Sequence, residues 1–203
     1  MIRGIRRTIA NTIQAAENAS QLGADPSKGF IVGGTSAGGN ITATITHLAR
    51  DEKLSPPLTG AHLMIPSVCV SKEMPEKYKQ EQHSWEQNKN AAVLSQKACD
   101  LFFDNYVPQE SDRSSEIFSP LTFRTGHAGL PPSYFQICGA DPLRDEALIY
   151  EKILREEEGI ETKVDVYPGL PHGFWSMFPT IPSSKKFVEE SAKGVQWLLE
   201  QSK

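Results

Sequence analysis

The sequence predicts an α/β fold in which a mostly parallel sheet carries helices on both faces. Short apolar runs typical of buried strands alternate along the chain with longer segments whose apolar residues recur at helical spacing, which is the pattern of strand–helix–strand units. Hydrophobic residues make up 38% and charged residues 23% of the 203 residues, as in a globular chain rather than a disordered one. We therefore expect a single domain over residues 1–203.

Four apolar runs are predicted as strands because glycine, proline or polar turn residues bound each of them. The first leads directly into a glycine-rich turn, and an Asp-Pro step follows shortly after the third. The predicted strands are residues 30–32, 61–65, 134–138 and 163–167.

Between these strands, apolar residues recur at helical spacing, which predicts helices in the connecting segments. The first twenty residues are predicted to form an amphipathic helix. Its apolar stripe consists of Ile5, Ile9, Ile13 and Ala16. Further helices are predicted over residues 37–50, 91–106, 142 to about 157, and 187–199. The stretch 70–124 is rich in Lys, Glu, Gln and Asn, and we expect it to form a cap-like excursion from the sheet.

Composition argues against several classes of function. A net charge of −4 and scattered Lys and Arg give no electrostatic reason to expect a nucleic-acid partner. No apolar run approaches the roughly 20 residues that span a bilayer, so we expect no membrane span and take the cytoplasm as the default location. The cysteines are widely spaced and form no Cys-x-x-Cys pair, which predicts reduced, buried thiols rather than disulfides or a zinc site. They are Cys69, Cys99 and Cys138.

Residues 34–38, Gly-Thr-Ser-Ala-Gly, form a candidate nucleophile turn between a predicted strand and a predicted helix. A tight strand-to-helix turn strains the central residue and exposes its hydroxyl, and the flanking glycines avoid collisions with the strand and the helix. Ser36 would then stand at a helix N-terminus, with the Ala37 N–H as one oxyanion donor. A phosphate-binding loop is the rival interpretation, but the glycines do not fit Gly-x-Gly-x-x-Gly and no Gly-Lys-Ser/Thr follows.

His172 is the candidate general base, since a serine hydroxyl needs a base within hydrogen-bond reach. It follows the fourth predicted strand, and ligands of parallel sheets bind past the carboxyl ends of the strands. The other histidines lie inside a helix, within a strand, in the polar excursion, or before the third strand. They are His47, His62, His83 and His127.

Asp141 follows the third predicted strand and is the candidate acid that orients the imidazole. An aspartate before proline is also an ordinary helix N-cap, and a capping carboxylate could point away from His172. Asp145 and Glu146 are alternatives, although in a first helical turn they suit the helix dipole without any catalytic role. The three candidates for base, acid and nucleophile follow three different strands, which favours their convergence at one edge of the sheet.

At these positions the chain resembles the hormone-sensitive-lipase-like branch of the α/β-hydrolases, in its GTSAGG esterase subgroup. The resemblance covers essentially the whole chain and rests on residues 34–40, on Asp-Pro-Leu-Arg-Asp-Glu at 141–146, and on Pro-His-Gly-Phe at 171–174. The resemblance implies the α/β-hydrolase fold and a small-molecule substrate. It implies hydrolysis of short- to medium-chain acyl or acetyl esters without a cofactor or a metal. It also implies that Asp141, rather than Asp145, is the triad acid. Many relatives carry Asp where Thr35 stands.

The chain departs from this family in lacking a His-Gly-Gly-Gly loop, whose N–H groups supply further oxyanion donors. Only 35 residues precede Ser36, and they contain no such motif. We therefore expect the first strands of the family fold to be missing and residues 30–32 to form an exposed edge that promotes self-association. We also expect weak or absent activity, because one lost oxyanion donor costs roughly a hundred- to thousand-fold in rate.

A different class of protein is the alternative: a non-catalytic binding protein with this fold, or the product of an incomplete gene model.

Four aromatic residues have two interpretations: they line an acyl or alcohol pocket, or they pack in the core and the cap. They are Phe102, Phe103, Tyr106 and Trp175.

Overall fold

The computed structural model describes residues 2–202, and it describes no side chain for residues 2–7, 71, 110 and 111, so the predicted contribution of Ile5 lies outside the described part. Four strands form one parallel sheet in chain order. They are β1 (Ile31–Thr35), β2 (Gly60–Met64), β3 (Ser133–Ala140) and β4 (Thr162–Pro171). The four predicted strands are thus confirmed, and β4 continues beyond its predicted end.

Helices and short turns fill the connections between strands. The helices are α1 (Ile2–Glu17), α2 (Ala37–Asp51), α3 (Ser84–Gln87), α4 (Gln96–Tyr106), α5 (Glu110–Arg113), α6 (Arg144–Lys152), α7 (Phe174–Met177) and α8 (Pro182–Gln201). A wider, π-type turn, Ile153–Glu157, continues α6 to the end that the sequence predicted.

Two helices begin five residues away from their predicted starts, for local reasons. α4 begins at Gln96 rather than at residue 91, because the Ser95 hydroxyl accepts the Ala98 N–H and so caps the helix there. Val93 has a φ of +72°, which a right-handed helix excludes. α8 begins before residue 187, at Pro182, a residue well suited to the first helical position.

The two faces of the sheet pack against different helices, as the predicted layering requires. Alternate residues point to opposite faces of a strand. Leu63 and Phe135 lie in the main core with Ala43 of α2 and residues of α6. On the other face, Tyr134 packs against α8 at Gly194, where an added Cβ would lie 1.9 Å from the ring. The chain therefore forms a three-layer α/β structure.

The stretch 70–124 carries α3, α4 and α5 and returns to the sheet through buried contacts. Leu94 and Cys99 of this stretch pack on Leu143, which precedes α6. All three cysteines of the chain are free and buried, as predicted. Within residues 2–202, no helix combines the length and the apolar character that crossing a membrane would require.

β1 forms an open edge of the sheet among the described residues. Its described partner is β2 alone. The Phe30 carbonyl accepts the Thr59 N–H, and the Ser36 N–H bonds to the Met64 carbonyl, so both ends of the strand bond toward β2. Since bonding direction alternates along a parallel strand, the peptide groups of Ile31, Gly33 and Thr35 face the open edge. A partly exposed apolar edge of this kind is a template for pairing with another chain.

We predict that this edge drives self-association and that Ile31→Lys weakens it. A lysine at an edge places a hydrated charge beside the unpaired peptide groups and disfavours a second strand. Sedimentation velocity over a range of protein concentrations measures the change as a larger monomer fraction. Val188→Lys is the control, because Val188 is exposed on α8 and does not belong to β1. Equal sedimentation of the wild-type protein and Ile31→Lys would contradict the prediction.

Candidate active site

Ser36 stands at the junction between β1 and α2 in a strained backbone conformation. Its φ of 58° and ψ of −114° are sparsely populated by residues with a side chain. Two hydrogen bonds fix this conformation: its N–H donates to the Met64 carbonyl at 2.8 Å, and its carbonyl accepts the Asn40 N–H at 3.0 Å. The side chain makes no capping bond to α2. The hydroxyl is therefore held away from the helix, as the nucleophile motif predicts.

The glycines around Ser36 do not share one role. A Cβ on Gly34 would lie 2.3 Å from the Gly38 carbonyl oxygen, and a Cβ on Gly39 would lie 2.8 Å from Cβ of Pro66. Gly38 itself has open space where its Cβ would stand. The expectation that every flanking glycine avoids a collision is thus wrong for Gly38. The collision between these two residues would come from a side chain on Gly34, in β1, and not from one on Gly38.

Strand register explains how the acid and the base meet. Ala140 of β3 pairs with Pro171 of β4, so the next residues, Asp141 and His172, lie side by side at the carboxyl edge. Between this pair and the preceding one, Cys138 with Tyr167, β3 advances two residues and β4 advances four. The two extra residues form a bulge, and such bulges redirect the side chains that follow them.

Ser36, His172 and Asp141 form a continuous hydrogen-bonded row. The Ser36 hydroxyl lies 2.9 Å from Nε2 of His172, and Nδ1 of His172 lies 2.6 Å from Oδ2 of Asp141. Asp141 is 1% exposed and His172 9% exposed, so both polar groups are buried and paired. With the Nδ1 proton directed at the carboxylate, Nε2 is left to accept the Ser36 proton.

Asp141 makes both of the contacts that its local sequence left as alternatives, the turn bond and the bond to the imidazole. While Oδ2 bonds to His172, Oδ1 accepts the Leu143 N–H at 2.9 Å and closes the turn before α6. The backbone carbonyl of Asp141 is held as well, by the Asn88 side chain at 3.0 Å. A carboxylate has two oxygens, and here the capping bond orients the oxygen that meets the imidazole.

The two alternative acids, Asp145 and Glu146, do not touch His172 and are not merely dipole partners of α6. Asp145 accepts the N–H groups of His83 and Ser84, at 2.7 and 2.6 Å, and pairs with Arg144. Glu146 accepts the N–H groups of Val68 and Cys69, so both acids tie loops of the chain to the start of α6. No local sequence signal indicates these contacts, because the partners are more than 60 residues away along the chain.

Other predicted site residues take varied positions. Ala37 is exposed at the first position of α2, where a backbone N–H has no acceptor within the helix. Of the four aromatic candidates, Trp175 stacks on Phe187 at 3.7 Å and Phe103 stacks on Trp85, so these two pack within the protein. The remaining two, Phe102 and Tyr106, are exposed on α4.

The other four histidines lie apart from Ser36. Three of them are buried, and burial lowers the pKa of each. They are His47, His62 and His127. For His47 burial lowers the pKa to about 3, which leaves the ring uncharged at neutral pH.

We predict opposite effects of alanine at two glycines of the nucleophile turn. Gly34→Ala inserts a methyl group into the Gly38 backbone and should lower the free energy of unfolding by about 1–3 kcal/mol. Gly38→Ala meets no atom and, in a helix, should raise it by up to about 1 kcal/mol. Urea unfolding followed by tryptophan fluorescence measures both. Similar destabilisation by the two substitutions would show that the collision is not the cause.

Comparison with known proteins adds to this geometry. A family model described as alpha/beta hydrolase fold matches residues 5–176. The chain is 44% identical over 184 residues to AB hydrolase superfamily protein B1A11.02 of Schizosaccharomyces pombe, covering 91% of this chain and 53% of that protein. It is 39% identical over 191 residues to versiconal hemiacetal acetate esterase of Dothistroma septosporum, covering 93% and 56%.

The crystal structure of vibralactone cyclase superposes with a TM-score of 0.91 at 40% identity, covering 98% of this chain and 57% of that one. The chain thus spans about half the length of the curated relatives it matches. The family model covers most of the chain, and the fold and family that the motifs predicted are confirmed. This chain belongs to the α/β-hydrolase family.

Proposed function

We propose that the chain is a serine ester hydrolase in which Ser36 is the nucleophile, His172 the general base and Asp141 the acid that orients it. The observation that carries the proposal is the row of hydrogen bonds from the strained Ser36 through His172 to Asp141. Several relatives are named as esterases, among them versiconal hemiacetal acetate esterase and carboxylesterase NlhH of Mycobacterium tuberculosis. These names support ester hydrolysis as the reaction class.

The geometry supports the following sequence of steps. The Ser36 oxygen attacks the ester carbonyl while Nε2 of His172 takes its proton. Asp141 stabilises the resulting imidazolium, and the N–H of Ala37 donates to the tetrahedral oxyanion. The imidazolium then protonates the leaving alcohol as the ester carbon–oxygen bond breaks, which leaves the acyl group on Ser36. Water, deprotonated by the same imidazole, adds to this acyl group, and the imidazolium returns the proton to the Ser36 oxygen as the acid leaves.

We further propose short- to medium-chain acyl or acetyl esters as substrates and slow turnover by this chain. The substrate range comes from the resemblance of the three motifs to the family. The slow turnover follows from the absence of a His-Gly-Gly-Gly sequence among the 203 residues, since each missing oxyanion donor costs roughly a hundred- to thousand-fold in rate. A covalent probe is therefore the better test, because it requires nucleophile activation but only one reaction per molecule.

We predict that a fluorophosphonate labels the wild-type chain at Ser36. Oγ attacks phosphorus and displaces fluoride, so Ser36→Ala should abolish labelling and His172→Ala should nearly abolish it. Ser176→Ala is the matched control, because Ser176 is an exposed serine one turn after His172. Mass spectrometry of the labelled peptide gives the site. Labelling that persists in Ser36→Ala would reject the proposed nucleophile, and an unlabelled wild-type chain would favour a non-catalytic binding protein.

We also predict different outcomes for two substitutions of Asp141. In Asp141→Asn the amide oxygen can still cap Leu143, but its NH₂ then faces Nδ1 and forces the imidazole proton onto Nε2. Labelling should fall by about four orders of magnitude, the effect of a wrong tautomer, with stability nearly unchanged. Asp141→Ala should also lose the bond from the Leu143 N–H. Its free energy of unfolding should therefore be about 0.5–1.5 kcal/mol lower than that of Asp141→Asn. Labelling rates and urea unfolding separate the two effects; normal labelling of Asp141→Asn would contradict the assignment.

A further inference from the structure

The chain leaves β2 through a strained turn, residues 65–70, which passes beside the nucleophile. Ile65 has a φ of +42°, a conformation that is strained for a β-branched residue. Such strain persists only when surrounding contacts hold it in place.

One side of the turn rests on the helix that begins after Ser36. Pro66 packs against Gly39 so closely that no Cβ would fit between them. The Asn40 side chain donates to the Ser67 carbonyl at 2.8 Å and, with its other hydrogen, to the Phe118 carbonyl at the same distance. A shift of the turn would therefore move the first turn of α2, and Ser36 with it.

The other side of the turn is bonded at several points: the Val70 N–H donates to the Ser119 hydroxyl, and the Val68 carbonyl accepts the Leu121 N–H. The turn also rests on a buried carboxyl group, that of Glu146. Its Oε1 accepts the Val68 N–H at 2.8 Å and the Cys69 N–H at 3.2 Å. The Ser67 side chain also bonds to it. Glu146 is 1% exposed and lies in the first turn of α6, directly after the loop that carries Asp141.

We propose that Glu146 is a positioning residue that fixes the distance between the nucleophile and its base. It touches neither Ser36 nor His172, and it acts by holding the turn 65–70 between α6, which follows the acid, and α2, which follows the nucleophile. The role rests on the proposed function of Ser36. A displacement of about 1 Å at reacting groups can cost a hundred-fold in rate, so small movements of this turn matter.

The protonation of Glu146 determines which substitution should preserve the role. Burial is the main cause that raises its pKa to about 8, and the nearby Asp141 carboxylate adds to the effect. The carboxyl group is therefore largely protonated at pH 7. Cys69 and Cys99 are the other titratable groups that sense its charge, and burial keeps both thiols protonated. Glutamine has the same shape, a carbonyl oxygen that accepts two N–H groups, and no charge.

The test compares fluorophosphonate labelling rates at Ser36 with urea unfolding, under conditions where every variant is folded. We expect Glu146→Ala to label at least about ten-fold more slowly and Glu146→Gln to label at close to the wild-type rate. Glu146→Asp, whose acceptor is one methylene short, should be slow even where Glu146→Ala does not fold. Glu151→Ala is the matched control, a buried carboxylate of the same helix that bonds instead to Arg155 and Thr162.

The outcomes separate positioning from mere stability. A stability role alone predicts that Glu151→Ala and Glu146→Ala lose stability together and that folded molecules of both label normally. Normal labelling of folded Glu146→Asp, or a slow Glu146→Gln, would overturn the proposal. If the wild-type chain takes up no probe at Ser36, the proposed function fails first, and that result is distinct from any difference among the Glu146 variants.

Discussion

The parallel register of the sheet is the constraint on which the candidate site depends. In a parallel sheet all strands end at the same edge, so residues that follow different strands become neighbours regardless of their distance along the chain. Thr35 pairs with Met64, and Ala140 pairs with Pro171, so each candidate group leaves the sheet within one residue of a fixed pair. A register slip of one residue on β4 would turn His172 to the opposite face.

The site also depends on how buried acids are satisfied. Isolated buried charges cost several kcal/mol, and the cost is offset only by well-placed partners. Asp141 has the imidazole and a backbone N–H, whereas Glu146 has backbone N–H groups. The raised pKa of Glu146 keeps that group largely protonated near neutrality, so it holds its turn without placing a full negative charge beside Asp141. Asp141 can then orient the imidazole while Glu146 holds the turn 65–70.

Local sequence was sufficient to predict the four strands and the layered fold, and to place the residues that follow β1, β3 and β4 at one edge of the sheet. Apolar runs and turn residues mark strand ends, and the parallel order then places those ends together. Whether the acid would point at the base could not be derived from the residues alone, since a capping aspartate and a triad aspartate share the same local sequence. The structure resolves this because the two carboxylate oxygens bond separately.

Contacts between distant segments were beyond sequence reasoning. Glu146 and Val68 are 78 residues apart, and nothing in either neighbourhood indicates the bond. The bulge of β4 was missed for a related reason. Pro168 and Gly169 are typical of a loop. Because Gly139 of β3 has no Cβ, the β4 backbone at these two residues can approach it closely, and strand pairing resumes at Pro171. Local propensity was overridden by the neighbouring strand.

Activation of a serine and stabilisation of the oxyanion are separable requirements of the proposed reaction. The hydroxyl, the imidazole and the carboxylate that the proposed activation uses are held by hydrogen bonds of 2.6–2.9 Å. For the oxyanion, the Ala37 N–H lies at the first position of α2, where it has no acceptor within the helix. The two requirements therefore call for separate measurements: a single labelling event reports on activation of the serine, and steady-state turnover also reports on stabilisation of the oxyanion.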